Sequence, residues 1–394
     1  MAAANAANAD AANADAANAD AANADAADAA KAMDVTFMRR ALDLATRGSW
    51  PDPNPRVGCV IVDPAGGLIG EGWHRGAGTP HGEAAALAVA GDRARGGTAY
   101  VSLEPCAHTG RTGPCADALV AAGVSRVVYG QDDPNGDAAG GAEVLRAAGV
   151  EVVAGVLADE AAALNERWAQ TIALGRPLVT WKFAATLDGR SAAADGTSQW
   201  ITSEEARADV HALRASRDAI VVGTGTVLVD DPALTVRTGR GRMPLGPPAG
   251  AQPLRVVVGL RDVPASARIH EGPGEVLQIR SRDPHEVLAA LWNKGVRDVW
   301  LEGGPRLASA FLRAGLVDEV YAYLAPAFLG AGRPAVGDLG ITSMEGIRRL
   351  ALGDVRRVGA DLRIHATTAY PVDVPVSGRA GTRTSSLVGV GKAG

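Results

Sequence analysis

From residue 34 the chain alternates short apolar runs with stretches of helical periodicity. Phe37, Met38, Ala41, Leu42 and Ala45 recur at helical spacing and predict a helix ending near Gly48. A strand over 57–62, a turn at 64–67 and a helix opening near His81 follow. Further on the pattern predicts strands at 98–103, 124–129 and 151–153, with helices at 115–122 and 143–148. A helical stretch over 160–174 closes this first series, and such alternation argues a three-layer αβα domain. A second series begins at Pro177, with buried strands expected at 178–183, 219–222, 255–258 and 298–300. Helices at 203–215 and 307–314 come between and after them, and the Gly/Pro-rich stretch 238–253 reads as a surface loop.

The ends of the chain differ from its middle. Residues 2–30 repeat a five-residue Ala/Asn/Asp unit with almost nothing to bury, so a disordered tail over 1–33 is expected. The last stretch, 370–394, reads as a flexible tail. The domain plan is therefore 34–157, a linker helix at 158–176, and 177–369.

Composition narrows the functional classes. The net charge of −5 comes mostly from residues 1–33, where five Asp face one Lys. The remainder is near neutral without a basic stripe, which disfavours a nucleic-acid partner. No run of 18 apolar residues predicts a membrane span, and no basic segment leads into an apolar one at the N-terminus. Three cysteines, Cys59, Cys106 and Cys115, are too few for a disulfide framework and suit a reducing, cytoplasmic setting.

Four residues carry the first chemistry. His81 and Glu83 lie in Pro80-His81-Gly82-Glu83, Cys106 follows Glu104-Pro105, and Cys115 follows Pro114 at a helix start. One imidazole and two thiolates are three good zinc ligands, leaving a fourth position for water whose pKa the metal lowers. The helix dipole favours the ionised thiolate of Cys115. Glu83, two residues beyond a ligand, is placed to move protons without binding metal. His-x-Glu followed by Pro-Cys and a further Cys is the zinc deaminase signature.

Eight residues separate the cysteines where zinc deaminases usually have two. This insertion, Ala107 to Pro114, resembles the deaminase half of the bifunctional riboflavin-biosynthesis enzymes, as does the segment Pro53 to Val60. The resemblance implies a cytidine-deaminase-like fold in which Asn54, His74, His108 and Arg111 line the pyrimidine or its ribose phosphate. Cys59, inside an apolar strand, reads as packing. The chain departs from the family's usual wording at Gly82 (commonly Ala), Gly113 (commonly Pro) and Ala85 (often His). None removes a ligand, although Gly82 can loosen the helix start by up to about 1 kcal/mol.

After Pro177 no Gly-x-Gly-x-x-Gly follows a first strand, so an ordinary Rossmann site is not expected. Glu302-Gly303-Gly304-Pro305 offers instead a strand-to-helix turn whose backbone N–H groups can approach a phosphate. The runs Lys182 to Asp188, Ser198 to Thr202, Asp230 to Arg237 and Glu302 to Pro305 resemble the dihydrofolate-reductase-like domain of the same enzymes. By that resemblance Ala184, Trp200, Thr226 and Asp230 contact NADPH, and Gly304 onward cradles its phosphates. Ser198, Arg214, Leu234, Arg237 and Glu302 hold the substrate, a small-molecule pyrimidine ribose phosphate.

The implied function is zinc-dependent deamination of 2,5-diamino-6-ribosylamino-4(3H)-pyrimidinone 5′-phosphate, then NADPH-dependent reduction of its ribose to ribityl. A homo-oligomer joined through the reductase domain is also implied. The rival readings are a deaminase of free cytidine, guanine or a tRNA base, and a ligand-binding or regulatory protein that holds zinc without turnover. The preference for NADPH over NADH rests on the resemblance, because no residue in the sequence can be shown to hold a 2′-phosphate.

Overall fold

The computed structural model describes residues 24–25, 27–109, 113–236 and 252–368. The first helix, α1, covers residues 27–45 and so begins inside the stretch expected to be a disordered tail. Alanine has the highest helix propensity, and a packed helix propagates backwards through such residues at little cost. Residues 1–23, the rest of that expected tail, lie outside the described residues, as does the expected C-terminal tail.

The first domain holds a five-stranded sheet in the order β2-β1-β3-β4-β5. Its strands are β1 (Gly58–Val62), β2 (Leu68–Trp73), β3 (Thr98–Leu103), β4 (Arg126–Gln131) and β5 (Glu151–Ala154). The first two pairings, β1 with β2 and with β3, are antiparallel, and the rest are parallel. Helices α2 (Gly82–Ala90), α3 (Cys115–Ala121) and α4 (Gly141–Ala147) cover one face. There Cys59, Ile61, Val101 and Val127 pack on Ala86, Leu119 and Leu145. The alternate residues Val60, Val62, Tyr100 and Val128 face α1 and α5 (Ala158–Leu164), through Met38, Leu44 and Ala161. The period-2 alternation of the strands thus builds the three layers. At Gly58 a Cβ would lie 2.0 Å from the Ala41 carbonyl oxygen, so only glycine lets α1 rest on β1.

The expected helix at 160–174 is broken at Asn165 into α5 and α6 (Glu166–Leu174). The break is used. Asn165 Oδ1 accepts from the Arg56 N–H at 2.9 Å, and its Nδ2 donates to the Arg56 carbonyl at 2.9 Å. Trp168 Nε1 donates to the Pro53 carbonyl at 3.2 Å. From the same short helix Arg167 reaches the other way, to Asp298 at 2.8 Å and Glu319 at 2.6 Å.

The second domain is an eight-stranded sheet in the order β10-β9-β8-β11-β6-β12-β15-β14. In chain order come β6 (Leu178–Thr186), the short β7 (Arg190–Ala192), α7 (Glu204–Arg214), β8 (Ala219–Gly223) and α8 (Thr224–Asp230). Then follow β9 (Leu254–Val258), β10 (Val276–Ile279), α9 (Pro284–Asn293), β11 (Asp298–Leu301) and α10 (Pro305–Arg313). The domain ends with β12 (Glu319–Ala325), β13 (Arg333–Pro334), β14 (Leu350–Val358) and β15 (Asp361–Thr368). From β10 to β12 neighbours are parallel, and β15 and β14 extend the sheet antiparallel.

Local signals explain where helices start. Ser203 accepts from Ala206 N–H to cap α7, and Asp283 accepts from His285 N–H ahead of Pro284 to cap α9. One sheet face packs Val221, Val256 and Val299 on Leu288, Leu291 and Phe311; the other packs Ile220, Val257 and Trp300 on Val210 and Val227. Most of the expected loop at 238–253 lies outside the described residues.

Candidate active sites

The first site forms where β3 and two helix starts converge. His81 is the N-cap of α2, Cys106 follows β3, and Cys115 opens α3. His81 Nδ1 lies 3.2 Å from Cys115 Sγ and 3.7 Å from Cys106 Sγ. The three ligand atoms all lie within 4.8 Å of one another. Tetrahedral zinc, with Zn–S about 2.3 Å and Zn–N about 2.0–2.1 Å, needs ligand atoms about 3.6 Å apart. The donor set and spacing therefore fit that ion. No cysteine is in a disulfide. Hydrogen bonds from Cys115 and His81 hold the Cys106 thiol well below the ordinary cysteine range, while the hydrogen bond to Cys106 and burial push Cys115 up. Cys59 is fully buried, as a packing residue should be.

Glu83 is 3% exposed in the first turn of α2, facing this cluster, and burial pushes its carboxyl up to about 7. Next to it the ring of His74 stands edge-on to His81 at 5.5 Å. His74 Nδ1 bonds the Pro80 carbonyl at 3.1 Å, and Nε2 lies 3.2 Å from Asn54 Nδ2. Asn54 is itself fixed by Asp52, whose carboxylate accepts from the Asn54 and Ala77 N–H groups at 2.9 Å each. The structure thus gathers His81, Cys106, Cys115, Glu83, His74 and Asn54. His108 sits on an exposed segment, and Arg111 lies outside the described residues.

Gly82 has a steric reason. A Cβ there would lie 2.9 Å from the Val57 carbonyl oxygen, so the glycine lets α2 start close against the strand.

Two acids at this site escaped the sequence reading. Glu104 is buried, and its carboxylate accepts from the N–H groups of Asp133, Gly140 and Ala142 at 3.2, 3.1 and 3.0 Å. It ties the loop after β4 to the strand bearing Cys106. Asp133 in that loop is pushed up to about 6 by burial, with Glu104 and Cys106 adding to the rise. The only signal was an Asp-Asp-Pro-Asn turn directly after a strand.

The second site lies at the C-terminal ends of β6, β8 and β11. Glu302 leaves β11 and pairs with Arg214 at the end of α7, with Arg214 Nε 2.5 Å from Oε1. Trp300 Nε1 donates to the same carboxylate. Burial alone would raise Glu302, but Arg214 and Lys182 draw it down to about 2. Lys182 is pulled below the usual lysine range by burial, with Glu302 acting against the fall. Lys182 opens the run to Asp188, and its place beside Arg214 and Glu302 is visible only in three dimensions.

Ser198 Oγ donates to Asp230 at 3.1 Å. Thr226 Oγ1 stands 3.6 Å from where a Cβ on Gly304 would be, so these two expected cofactor positions are neighbours. Ala184 lies in β6, and Gly304 is the N-cap of α10. Trp200 is 68% exposed, with the Arg207 guanidinium 4.4 Å above its ring. Leu234 is buried with φ +53°. The fully buried Arg255 holds this loop by donating to the carbonyls of Ala233 and Ile269 at 3.3 and 2.7 Å. Arg237 lies outside the described residues.

Fold and sites together define a zinc deaminase domain joined to a nucleotide-dependent reductase domain in one polypeptide. Comparison with known proteins agrees. Residues 31–131 match the cytidine and deoxycytidylate deaminase zinc-binding region, and residues 177–364 match the RibD C-terminal domain. The chain is 51% identical over 312 residues to the riboflavin biosynthesis protein RibD of Mycobacterium tuberculosis, covering 79% of this chain and 90% of that one. It is 42% identical over 371 residues to RibD of Escherichia coli, covering 85% and 100%. Among solved structures, Acinetobacter baumannii RibD superposes with a TM-score of 0.73 at 40% identity, covering 86% and 99%. A deaminase/reductase from Thermotoga maritima gives 0.69 at 32% identity, covering 86% and 99%. The chain belongs to the RibD family of bifunctional riboflavin-biosynthesis enzymes. Its two activities are a zinc-dependent hydrolytic deamination and an NADPH-dependent reduction. Among the described residues no helix is long and apolar enough to cross a membrane.

Proposed function

We propose that the first domain deaminates 2,5-diamino-6-ribosylamino-4(3H)-pyrimidinone 5′-phosphate and that the second reduces the product's ribose to ribityl. The observation that carries this reading is the His81/Cys106/Cys115 cluster with buried Glu83 beside it. Zinc, when bound by those three residues, supplies an acidified water to attack the carbon bearing the exocyclic amine. Glu83 is placed to carry the two protons of the attacking water in turn, the first to the ring nitrogen and the second to the departing amine, which leaves as ammonia. Asn54 and His74, fixed by Asp52 and Pro80, orient the pyrimidine, and His108 and Arg111 serve the ribose phosphate.

In the second domain NADPH, when bound, supplies hydride to the ribosyl C1 carbon. Ala184, Trp200, Thr226, Asp230 and Gly304 are the proposed cofactor contacts. Ser198, Arg214, Leu234, Arg237 and Glu302 hold the ribose phosphate, so that the acceptor carbon is fixed before reduction. The proposed units are 34–157, the linker 158–176 and 177–369. The free cysteines support a cytoplasmic setting.

A homo-oligomer is part of the reading. The terminal strand β14 exposes Leu350, Leu352 and Val355, and Phe328 and Met344 are each 76% exposed. Among the described residues no further strand pairs with β14, and an apolar edge of this kind suits a second copy of the chain, which sedimentation at graded concentration tests.

The decisive experiment is product mass from the diamino-pyrimidinone ribose phosphate, with and without NADPH. Loss of the amine without NADPH, and a gain of two hydrogens only with it, is the expected pair of results. A mass that never changes in zinc-replete protein overturns the reading.

A further inference from the structure

The chain leaving α8 is bent twice into a backbone shape that side chains disfavour. Asp231 has φ +40° and Leu234 φ +53°, and Leu234 is buried. A leucine enters that region at a cost and stays there only where its surroundings impose it. The same stretch belongs to the proposed reductase site. Asp230, at the end of α8, accepts from Ser198 at 3.1 Å, and Leu234 is a proposed contact of the ribose phosphate.

Three side chains impose the bend. Asp231 Oδ1 accepts from the Arg268 N–H at 2.8 Å. Arg255 donates to the Ala233 carbonyl at 3.3 Å and, from the same guanidinium, to the carbonyls of Ile269, Glu271 and Gly274 at 2.7, 2.7 and 2.8 Å. Gln252, two residues ahead of β9, closes the far end. Its Oε1 accepts from the Val236 N–H at 2.7 Å, and its Nε2 donates to the Val236 carbonyl at 3.2 Å. One amide thus meets both backbone groups of one residue, a pairing that a neighbouring strand would otherwise supply. It fixes the peptide planes on both sides of Val236, two residues beyond Leu234. Gln252 is itself seated by a glycine turn. Gly274 has φ +99°, and a Cβ there would lie 2.9 Å from the Gln252 Cβ. Arg255 ties that turn to Ala233. It is 1% exposed, and among the described residues no carboxylate pairs with it, so burial pulls it below the usual arginine range. Burying a cation on carbonyls is costly. What it secures here is a single backbone shape.

We infer that Gln252 is a positioning residue of the reductase, clamping Val236 so that Leu234 keeps the shape against which the ribose phosphate seats. This rests on the proposed place of the substrate at Ser198 and Leu234.

The test is steady-state reduction by the full zinc protein, with the deaminated pyrimidine ribose phosphate and NADPH varied in turn. Gln252→Ala removes both bonds to Val236. KM for the pyrimidine is expected to rise about 10-fold, with kcat and KM for NADPH within about twofold. Gln252→Glu is the conservative variant. Its carboxylate accepts from the Val236 N–H but faces the Val236 carbonyl; once protonated it donates to that carbonyl and restores the pair. Its KM defect, measured against the parent protein at each pH, should therefore shrink as pH falls from about 7.5 to about 5.5. Deamination by both variants should stay within about twofold of the parent, since Gln252 lies in the other domain. An unchanged pyrimidine KM in Gln252→Ala, or one that rises together with KM for NADPH, overturns the assignment while the proposed function stands. So does a Gln252→Glu defect indifferent to pH. If the parent protein does not reduce the pyrimidine at all, the proposed function falls and takes the assignment with it.

Discussion

Replacing Gly141 by alanine separates local propensity from packing, because the two expect opposite results. Gly141 opens α4 with an ordinary helical entry; its φ is not in the left-handed region. Propensity alone favours alanine by up to about 1 kcal/mol. Yet a Cβ there would lie 1.7 Å from the Pro105 carbonyl oxygen and 2.8 Å from its carbon. Even a tight contact of 3.0 Å demands a movement of about 1.3 Å. Zinc ligands tolerate displacements of only about 0.2 Å. If Pro105 yields, Cys106 moves with it. If α4 yields, the bonds from Gly140 and Ala142 to Glu104 are lost instead, releasing the strand end that carries the same cysteine. Either route loosens the metal site, with overpacking expected to cost about 1–3 kcal/mol. Zinc affinity should fall about 10–100-fold, the usual consequence of disturbing the support of a ligand. The assay is zinc per chain by mass spectrometry after buffered dialysis, with both activities measured on the same preparation. Deamination should fall at least in proportion to zinc, while reduction of a deaminated substrate stays within twofold. Full zinc and undiminished deamination in a variant of equal or higher stability would refute the reasoning.

Glu83→Gln should cut deamination by about 10²–10⁴-fold and leave reduction intact, as product mass with each substrate will show; equal loss of both would deny separate sites. Arg214→Met leaves Glu302 buried with Lys182 as its remaining cation among the described residues, so about 3 kcal/mol of stability and most of the reductase activity should go. Unchanged reduction in that variant would remove the pair from the site. Asp218 is raised from 3.8 to about 7, first by burial and then by Asp298 and Asp52. The folded protein therefore holds the extra proton between about pH 4 and 7, and stability falls as pH rises through that window. The ceiling is about 4 kcal/mol. Asp218→Asn should flatten this slope in urea melts taken from pH 4 to 8, and an unaltered slope would assign it elsewhere.

What the sequence made legible follows from how local each constraint is. His81, Glu83, Cys106 and Cys115 could be read because metal chemistry admits few residue types and each stands at the end of a recognisable element. Strands β1, β3, β4, β6, β8, β9 and β11 were legible as apolar runs, whereas β2, β10 and the central β12 were not expected. Glu104, Asp133 and Lys182 were not, because their significance lies in neighbours far along the chain. The break at Asn165 was hidden for the same reason: nothing in 160–174 interrupts the helical pattern, and the cause is Arg56, 109 residues away. The outer strand β14 was missed because it is largely exposed and has no buried face to impose a period, and β15 because its buried positions include the polar Asp361 and Arg363.

The joint between the halves has a consequence for anyone wishing to divide them. A gene cut after codon 157 looks neutral on paper, since it falls between a sheet and a helix. The front product would lack Asn165 and Trp168, which grip the backbone on either side of Asn54. The rear product would keep Arg167 and its acids, so the damage would be one-sided. A lesion mapped to the second protein's leading helix would then surface as a defect in the first one's chemistry.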